Sequence, residues 1–433
     1  MEEYFNKLKR FNFWNGNVPK VGFHRDFYWQ KIQGFVNNQL IKVIVGQRRT
    51  GKSYILRQIA KNLMAQGVDA KQIFYINKEY IAFDFIKNYQ DLDALIQVYE
   101  AKMKPQGKIY LFIDEIQNVE GWEKLVNSYS QDFSTSYELF ISGSNSKMLS
   151  GELATLLSGR YVRFEIFPFS FTEYISFKNI ESNQTNYASY LQSGGLPELF
   201  VLPNEETKRH YVSAVKDTVL LRDVIQKNAI KDPKLLEDIF IYLINNASNL
   251  LSVNNITNYL KSSGRKTTFD TVANYIGFIE DTFLIHKAER FDIKGKETIA
   301  GNAKYYANDL SYKNYLYSGF GYGIGFLLEN LIYLALCRAG YEVFVGVLPN
   351  KEVDFVAKKA SETLYVQCAY LLQDEATVAR EFTALEAIAD NYTKVVVSMD
   401  EIVLPSRNGI LHVQAWNFEH FLESMEKPVF PPN

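Results

Sequence analysis

The chain has 433 residues, of which 47% are hydrophobic and 22% are charged, and its formal net charge is −2 at pH 7. This composition excludes a disordered chain, and the near-zero net charge excludes a protein that attracts nucleic acid through an overall basic field. With two cysteines, Cys337 and Cys368, and no apolar run long enough for a bilayer, the sequence predicts a cytoplasmic protein without a disulfide framework or a membrane span.

A phosphate-loop motif follows the first predicted strand. The apolar run 41–45 leads into a sequence of the form G-x-x-x-x-G-K-S, and a helical pattern follows over 54–64. The eight residues expected to hold the nucleotide are Gly46, Gln47, Arg48, Arg49, Thr50, Gly51, Lys52 and Ser53. Backbone N–H groups of such a loop converge on phosphate oxygens. We expect Lys52 to reach the β- and γ-phosphates of ATP and Ser53 to bind Mg²⁺.

Two acidic residues end a later apolar run. The run 109–113 is continuously apolar, which is typical of a strand buried on both faces of a parallel sheet, and it leads into Asp114 and Glu115. Behind a phosphate loop, this pattern predicts that Asp114 helps to hold Mg²⁺. Glu115 is then the predicted general base that activates the attacking water. A further strand is predicted between the two motifs, over 72–77.

A polar segment follows the next strand, which is predicted over 137–142. This strand is expected to lie between the phosphate-loop strand and the acidic-motif strand, so that polar side chains at its end face the γ-phosphate or the attacking water. Asn145 is the predicted catalytic sensor, and Ser144 is the other candidate. Both residue types also cap helices, so an ordinary strand-to-helix loop is the alternative interpretation.

Three arginines near the predicted nucleotide edge have two interpretations each. Arg160 precedes the strand predicted over 161–166. We expect it to neutralise γ-phosphate charge in its own subunit or in a neighbouring subunit of a homo-oligomer, and the alternative is a surface ion pair. Arg48 and Arg49 either steer anions or point outward, because the loop requires only their backbone groups.

Five segments together resemble one known family. They are, in this order, the phosphate loop with its Arg-Arg pair, 111–117 (LFIDEIQ), 142–146 (SGSNS), 157–160 (LSGR) and 167–174 (FPFSFTEY). The chain is similar to prokaryotic AAA-type ATP-binding proteins that carry an ATPase domain followed by a C-terminal domain of unknown function. The resemblance implies an ASCE-type ATPase core with a sensor on the strand that ends at Ser142. It also implies a lid that includes 194–198 (GGLPE).

Three helices and a hairpin are predicted after the lid. The helices are expected over 235–246, 252–260 and 267–280, and the first hairpin strand over 284–291. This order is that of a winged helix-turn-helix unit, whose third helix can enter the major groove of DNA. The predicted contacts to DNA phosphates are Arg265, Lys266, Lys287 and Arg290. Acidic residues lie between these cations, so interdomain packing or dimerisation is the alternative.

A helical acid and a strand acid characterise the last segment. Glu329 lies on a predicted helix and Asp354 on a predicted strand, with Gln367 and Ala369 on a later strand. The order resembles PD-(D/E)xK nuclease-like domains, with Gln367 in place of the second acid and Ala369 in place of the lysine. A neutral amide is a weak ligand for a hard cation, and alanine carries no charge. The resemblance therefore implies a degenerate site without nuclease activity; the alternative is that both acids are ordinary helix-surface and strand-end charges.

The predicted fold is α/β: a P-loop NTPase of the AAA/ASCE type with a parallel sheet, extended by three further parts. The domains are expected at 1–167 (ATPase core), 168–232 (helical lid and connector), 233–300 (winged-helix-like domain) and 301–433 (degenerate nuclease-like α/β domain). The predicted function is an ATP-hydrolysing switch or remodeller that acts on DNA. The alternatives are a regulatory ATPase whose appended domains bind protein partners, and an ATP-gated nuclease.

Overall fold

The structure, a computed structural model, describes residues 2–132, 134–149, 159–317 and 323–426. The chain divides into two compact units, Met1–Ile166 and Phe167–Asn433. The first unit ends one residue before the boundary predicted at 167. Two residues of the LSGR segment, Leu157 and Ser158, lie outside the described residues.

The first unit is a parallel sheet flanked by helices. Its described α-helices are α1 (Glu2–Leu8), α2 (Asp26–Gln33), α3 (Lys52–Ala65), α4 (Tyr89–Met103) and α5 (Trp122–Ser130). Its strands are β1 (Ile41–Val45), β2 (Ile73–Asn77), β3 (Ile109–Asp114), β4 (Tyr137–Gly143) and β5 (Tyr161–Glu165). The strands pair in parallel in the order β2-β3-β4-β1-β5. The prediction that β4 lies between β1 and β3 is therefore confirmed.

The continuous apolar runs explain why these strands form the middle of the sheet. Every residue of β1 and of β3 is buried, as expected where helices cover both faces of a parallel sheet. Phe112 and Phe140 stack across β3 and β4 with their ring centroids 4.6 Å apart. The one charge within β1, Lys42, is buried with its ammonium 2.6 Å from the Glu138 carboxylate of β4. Parallel pairing brings the carboxyl ends of β1, β3 and β4 to one edge, where the sequence motifs begin.

The second unit contains the remaining helices around a mixed sheet. Its described α-helices are α6 (Phe171–Lys178), α7 (Gln184–Ser193), α8 (Glu205–Thr218), α9 (Pro233–Asn245), α10 (Val253–Ser262), α11 (Phe269–Glu280), α12 (Ile324–Arg338), α13 (Glu375–Glu386) and α14 (Phe418–Glu426). Its strands are β6 (Leu250–Leu251), β7 (Ile285–Asp292), β8 (Glu297–Ala307), β9 (Glu342–Leu348), β10 (Lys351–Lys359), β11 (Glu362–Ala369), β12 (Thr393–Ser398) and β13 (Ile410–Gln414). The sheet order is β13-β12-β11-β10-β9-β7-β8-β6.

The boundaries predicted at 232 and 300 are not boundaries between compact units. Residue 300 lies inside β8, and β7 pairs in parallel with β9, so one sheet connects the predicted winged-helix-like and nuclease-like parts. Val212 and Leu236, on either side of residue 232, belong to one buried hydrophobic cluster. The sequence pattern gave strands and helices but not this pairing, because a parallel β7–β9 contact joins segments that are far apart in the chain.

The segment predicted as a lid packs into the core of the second unit. Phe171 of α6 and Tyr187 of α7 belong to the same buried cluster as Leu331 of α12. The Glu419 carboxylate of α14 accepts the first N–H groups of α6, at 3.1 Å from Phe171 N and 3.0 Å from Thr172 N. A carboxylate at a helix N-terminus satisfies free N–H groups and stabilises the helix dipole. The lid helices are thus part of the second unit's core.

The order of helices and hairpin in the second unit follows the prediction. Helices α9, α10 and α11 precede the antiparallel hairpin of β7 and β8, and the short strand β6 pairs with β8. Ser252 and Thr268 cap α10 and α11 through their side-chain oxygens, which fixes where these helices begin. Within the described parts of the chain, the helices are all too short or too polar to cross a bilayer.

Candidate nucleotide-binding site

The phosphate loop connects β1 to α3 and requires glycine at two positions. Gly46 has φ +140°, and a Cβ atom there would lie 2.4 Å from the carbonyl oxygen of Ile166. Gly51 has φ +98° and is the residue before α3. Both conformations are ones that glycine adopts at low cost. The Thr50 hydroxyl donates to the Gln47 carbonyl at 2.9 Å and closes the loop on itself.

Lys52 points into the mouth of this loop. Its ammonium donates to the carbonyl oxygens of Gly46 and Gln47, at 3.0 Å each, and lies 3.7 Å from Glu115 Oε1. The side chain is only 4% exposed. A buried ammonium held between loop carbonyls and one carboxylate is placed to bind an anion that enters the loop.

Asp114 ends β3 and is fully buried. Its Oδ2 accepts hydrogen bonds from the Tyr75 hydroxyl at 2.9 Å and from Asn77 Nδ2 at 2.7 Å. Its Oδ1 accepts a short hydrogen bond from the Ser142 hydroxyl. Sequence reasoning did not assign roles to these three partners. Asn77 and Ser142 lie at or next to the carboxyl ends of β2 and β4, and this shared position is the signal that could have identified them.

The surroundings of Asp114 fit a bound Mg²⁺. Burial, and next the charge of Glu115, raise the pKa of Asp114, while hydrogen bonds from Ser142 and Ser53 oppose this shift. The Ser53 side chain is thus close enough to Asp114 to lower the pKa of its carboxyl group. A hydroxyl and a carboxylate near each other offer the hard oxygen ligands that Mg²⁺ prefers, and a buried carboxylate gains from a nearby cation.

Glu115 follows β3 in a left-handed backbone conformation. Its φ is +55°, and its N–H donates to the Ser142 hydroxyl at 3.0 Å. The carboxylate is buried between the Lys52 ammonium and the Gln117 side-chain amide, which donates to it. The same amide nitrogen lies 3.4 Å from the Ser144 hydroxyl. The predicted base is therefore tied to the segment after β4.

The two sensor candidates differ in their contacts. Ser144 is buried and contacts Gln117, as described above. Asn145 is half-buried, and its side-chain oxygen accepts the N–H of Lys147 at 2.8 Å. This local contact is the one expected if Asn145 caps the turn that follows β4. Both residues lie at the edge of the sheet where the phosphate loop and Asp114 lie, so the sensor assignment stays a prediction.

Arg160 lies at the opposite edge of the sheet from the phosphate loop of the same chain. It immediately precedes β5, which runs parallel to β1 with Tyr161 opposite Ile41, at the start of β1. Its carbonyl accepts the N–H of Ile41 at 2.9 Å, and its side chain is exposed. This position argues against contact with a nucleotide bound by the same chain. A contact with a neighbouring subunit stays a prediction.

The arginines next to the loop have separate surroundings. Arg48 forms an ion pair with Glu79, whereas Arg49 is exposed with φ +69°. Sequence reasoning missed Arg25, which is buried, donates to the Thr50 carbonyl at 2.9 Å and stacks on Tyr28. Arg25 therefore fixes the outer turn of the phosphate loop. It lies 21 residues before Gly46, the first residue of the loop, and no motif marks it.

A charge cluster in the second unit surrounds the two acids of the predicted degenerate site. The Lys304 ammonium of β8 lies 3.0 Å from Glu329, 2.8 Å from Glu352 and 3.6 Å from Asp354. Burial alone would lower the pKa of Lys304, but the surrounding carboxylates together raise it. Burial and Asp354 raise the pKa of Glu329 to about 8. Lys304 is therefore charged, and Glu329 holds a proton near neutral pH.

The residues predicted to lie on strands do so: Asp354 lies on β10, and Gln367 and Ala369 lie on β11. The Gln367 amide donates to Glu381 at 2.9 Å, and Ala369 is buried two residues later on β11. Glu381 on α13 was not identified from the sequence. Gln367 and Glu381, together with Glu329 and Asp354, line a cavity of about 720 Å³. Among the described residues, no group of three or more His, Cys, Asp or Glu side chains is arranged to hold a metal ion.

Two of the four predicted DNA contacts are held in ion pairs. Arg265 pairs with Asp238 at 2.5 Å, and Lys287 pairs with Glu289 at 2.7 Å. Arg290 is half-buried, and Lys266 is exposed. Sequence reasoning missed two exposed lysines in the turn between β7 and β8, within the segment Lys294-Gly-Lys296. A Lys-Gly-Lys turn between two strands was the available signal.

Two family models match separate parts of the chain. Residues 38–175 match the family described as AAA domain, and residues 184–321 match one described as a domain of unknown function (DUF8612). An uncharacterized protein of Haemophilus influenzae is 38% identical over 385 residues, which cover 88% of this chain and 94% of that protein. An uncharacterized protein of Methanocaldococcus jannaschii is 31% identical over 406 residues, which cover 88% of this chain and 86% of that protein.

Two solved structures align over much of the chain with low scores. The RuvB Holliday junction branch migration motor of Thermotoga maritima is 16% identical with a TM-score of 0.30, covering 66% of this chain and 89% of that chain. The ORC1 protein of Aeropyrum pernix, solved in complex with DNA, is 13% identical with a TM-score of 0.31, covering 71% of this chain and 95% of that chain. At such TM-scores neither alignment supports an inference about what this chain binds.

Proposed function

We propose that this chain, which belongs to a family of AAA-domain proteins, binds ATP with Mg²⁺ and hydrolyses it. The observation that carries the proposal is the arrangement at the carboxyl edge of the first sheet. The phosphate loop, the buried Lys52 ammonium and the Asp114–Glu115 pair meet there, with Glu115 3.7 Å from Lys52. This combination of an anion-binding loop, a metal-binding acid and a second acid is what phosphoryl transfer to water requires.

In this proposal each residue has a separate role. The loop N–H groups and Lys52 bind the β- and γ-phosphates, and Ser53 and Asp114 hold Mg²⁺, which neutralises phosphate charge when it is bound. Glu115 accepts a proton from the attacking water, because its buried carboxylate is placed beside the loop. The phosphates give Lys52 a stronger partner than Glu115, so nucleotide binding frees the Glu115 carboxylate for this task.

Binding and turnover of single variants test these roles. Lys52→Ala should abolish tight ATP binding, because it removes the loop's cation. Glu115→Gln should bind ATP as the wild type does but hydrolyse it at least about 100-fold more slowly, because a neutral amide accepts no proton. Lys61→Ala, an exposed lysine on the same helix α3, is the matched control. Normal turnover in Glu115→Gln would contradict the role of this residue.

A second proposed activity is binding of duplex DNA by the helices and hairpin of the second unit. It rests on four exposed lysines around the winged-helix-like elements, which are Lys261, Lys266, Lys294 and Lys296. Phosphate contacts of this kind make affinity depend on salt. The ion pairs of Arg265 and Lys287 make these two residues weaker contacts than the sequence predicts. On this basis the chain is a nucleotide-driven switch or remodeller acting on DNA.

Fluorescence anisotropy with a labelled duplex over a range of salt tests this activity. Changing the four exposed lysines to alanine should weaken binding and flatten its salt dependence by about one unit of log–log slope per lost contact. The Arg265→Ala, Lys287→Ala double variant is the matched control and should bind nearly as the wild type does. Absence of wild-type binding at low salt would instead favour a regulatory ATPase whose second unit binds protein.

A further inference from the structure

The side chain of Gln117 connects the predicted base to the segment after β4. Its amide nitrogen donates to Glu115 Oε2 and lies 3.4 Å from the Ser144 hydroxyl. Glu115 Oε1 faces the Lys52 ammonium at 3.7 Å. The carboxylate is therefore held from two sides, by a cation that also belongs to the phosphate loop and by an amide that does not.

The orientation of the Gln117 amide has a chemical reason. Its Oε1 atom is buried and has no hydrogen-bond partner among the described residues. Turning the amide over would place this oxygen against the Glu115 carboxylate and repel it, so the nitrogen must face Glu115. A buried, unpaired carbonyl oxygen is unfavourable, and a glutamine with only a structural role would gain nothing from it.

The end of β4 leaves space for this side chain. A Cβ atom on Gly143 would lie 2.6 Å from Gln117 Oε1 and 1.7 Å from Met148 Sδ. Any larger residue at 143 would therefore push the Gln117 amide away from its present place. The close approach of Gln117 to β4 thus depends on glycine at this position.

We propose that Gln117 is a positioning residue that holds the Glu115 carboxylate for proton abstraction and couples it to the Ser144 segment. This inference rests on the proposed ATPase function of the site. When the γ-phosphate draws Lys52 away from Glu115, the hydrogen bond from Gln117 remains and keeps the carboxylate oriented. A displacement of the Ser144 segment by nucleotide reaches Glu115 through the same amide. Gln117 is not a catalytic residue, because it acts only through Glu115.

Gln117→Met tests the inference, because methionine has nearly the same shape and no donor. We expect kcat for ATP hydrolysis to fall about 10- to 100-fold, as small misplacements of a catalytic group do. The Kd for ATP, measured with a fluorescent analogue, should stay within about twofold of the wild type, because the Gln117 amide nitrogen contacts Glu115 and Ser144, which lie outside the phosphate loop. The thermal unfolding temperature should not change. Asn118→Ala, at the exposed neighbouring position, is the matched control.

A second background separates positioning from a general structural effect. In Glu115→Gln, the additional Gln117→Met change should lower single-turnover hydrolysis no further, because the group it positions is already lost. Unchanged kcat in Gln117→Met, or a parallel fall of kcat, ATP affinity and unfolding temperature, would overturn the inference. If the wild type hydrolysed no ATP, or if its hydrolysis persisted in Lys52→Ala, the proposed ATPase function would be wrong, and the positioning role with it.

Discussion

Replacing Lys304 by methionine should destabilise the second unit, because it leaves buried carboxylates without their cation. The ammonium contacts Glu329, Glu352 and Asp354 at distances from 2.8 to 3.6 Å, and the Lys304 side chain is 6% exposed. Methionine is similar in length and fills irregular spaces well. The change therefore removes charge with little loss of packing.

The size of the effect follows from how many charges lose their partner. Removing one member of a buried ion pair costs about 3–5 kcal/mol, because an uncompensated charge stays buried. Glu352 is 40% exposed and is solvated in the variant, so it adds little. Glu329 holds a proton near neutral pH, since its pKa is raised to about 8. Asp354 is thus the main uncompensated charge, and we expect a loss of roughly 3 kcal/mol, at the lower end of that range.

Hydrogen exchange followed by mass spectrometry on the intact chain measures this loss in place. Peptides over 324–338 and 351–359, which carry α12 and β10, should exchange about 100-fold faster in Lys304→Met at pH 7, since each 1.4 kcal/mol is about a factor of ten. Lys287→Met, an exposed lysine on the neighbouring strand β7, is the matched control and should exchange as the wild type does.

Two results would refute this reasoning. Wild-type protection in Lys304→Met would show that the carboxylates do not depend on the ammonium. The triple variant Lys304→Met, Glu329→Gln, Asp354→Asn removes both signs of charge and should recover most of the lost protection, since neutral replacement of buried ion pairs is often tolerated. Failure to recover would show that the loss comes from packing rather than from charge.

The stability of the second unit should fall as pH rises from about 5 to 8, because folding raises the pKa of Glu329 from 4.5 to about 8. The stabilisation is fully present below the pKa of Glu329 in the unfolded chain, and it is lost by the pH at which Glu329 ionises in the folded protein. Glu329→Gln has no proton to lose and should flatten this dependence in urea unfolding curves. Asp354→Ala should leave ATP turnover unchanged, and the wild type should cut neither plasmid nor single-stranded DNA with Mg²⁺ or Mn²⁺; cleavage that disappears in Asp354→Ala would contradict the degenerate site. Glu138→Gln should destabilise the first unit by about 3–5 kcal/mol in thermal unfolding, because Lys42 keeps a buried charge without its partner; an unchanged unfolding temperature would argue against this.

Much of the first unit could be predicted because its chemistry is local in sequence. The phosphate loop lies between β1 and α3, and Asp114 and Glu115 follow β3 directly, so parallel pairing alone brings them to one edge. The partners of Asp114 could not be assigned in this way. Tyr75 lies within β2, and its contact depends on the side-chain direction across the sheet.

The second unit shows where sequence patterns stop being informative. In the sequence, Lys304 is one lysine among the residues of β8, with no pattern that marks it. Its position beside Glu329 depends on how β8 packs against α12. The same limit applies to Arg160: an arginine before a strand is clear from the sequence, but the edge it occupies follows from the direction of β5. The spacing of residues in the sequence does not predict contacts between elements that are far apart in the chain.

The parallel pairing of β7 with β9 limits how this chain could be divided or recombined. A chain cut at residue 300 would end within the first half of β8 and would lose Lys304 together with the strand's buried end. β7 would lose its partner β9 and most of its partner β8, and exposed strand edges of this kind pair with other chains and aggregate. Shuffling of the helices and hairpin into another protein would therefore have to carry the strands up to β13 with them.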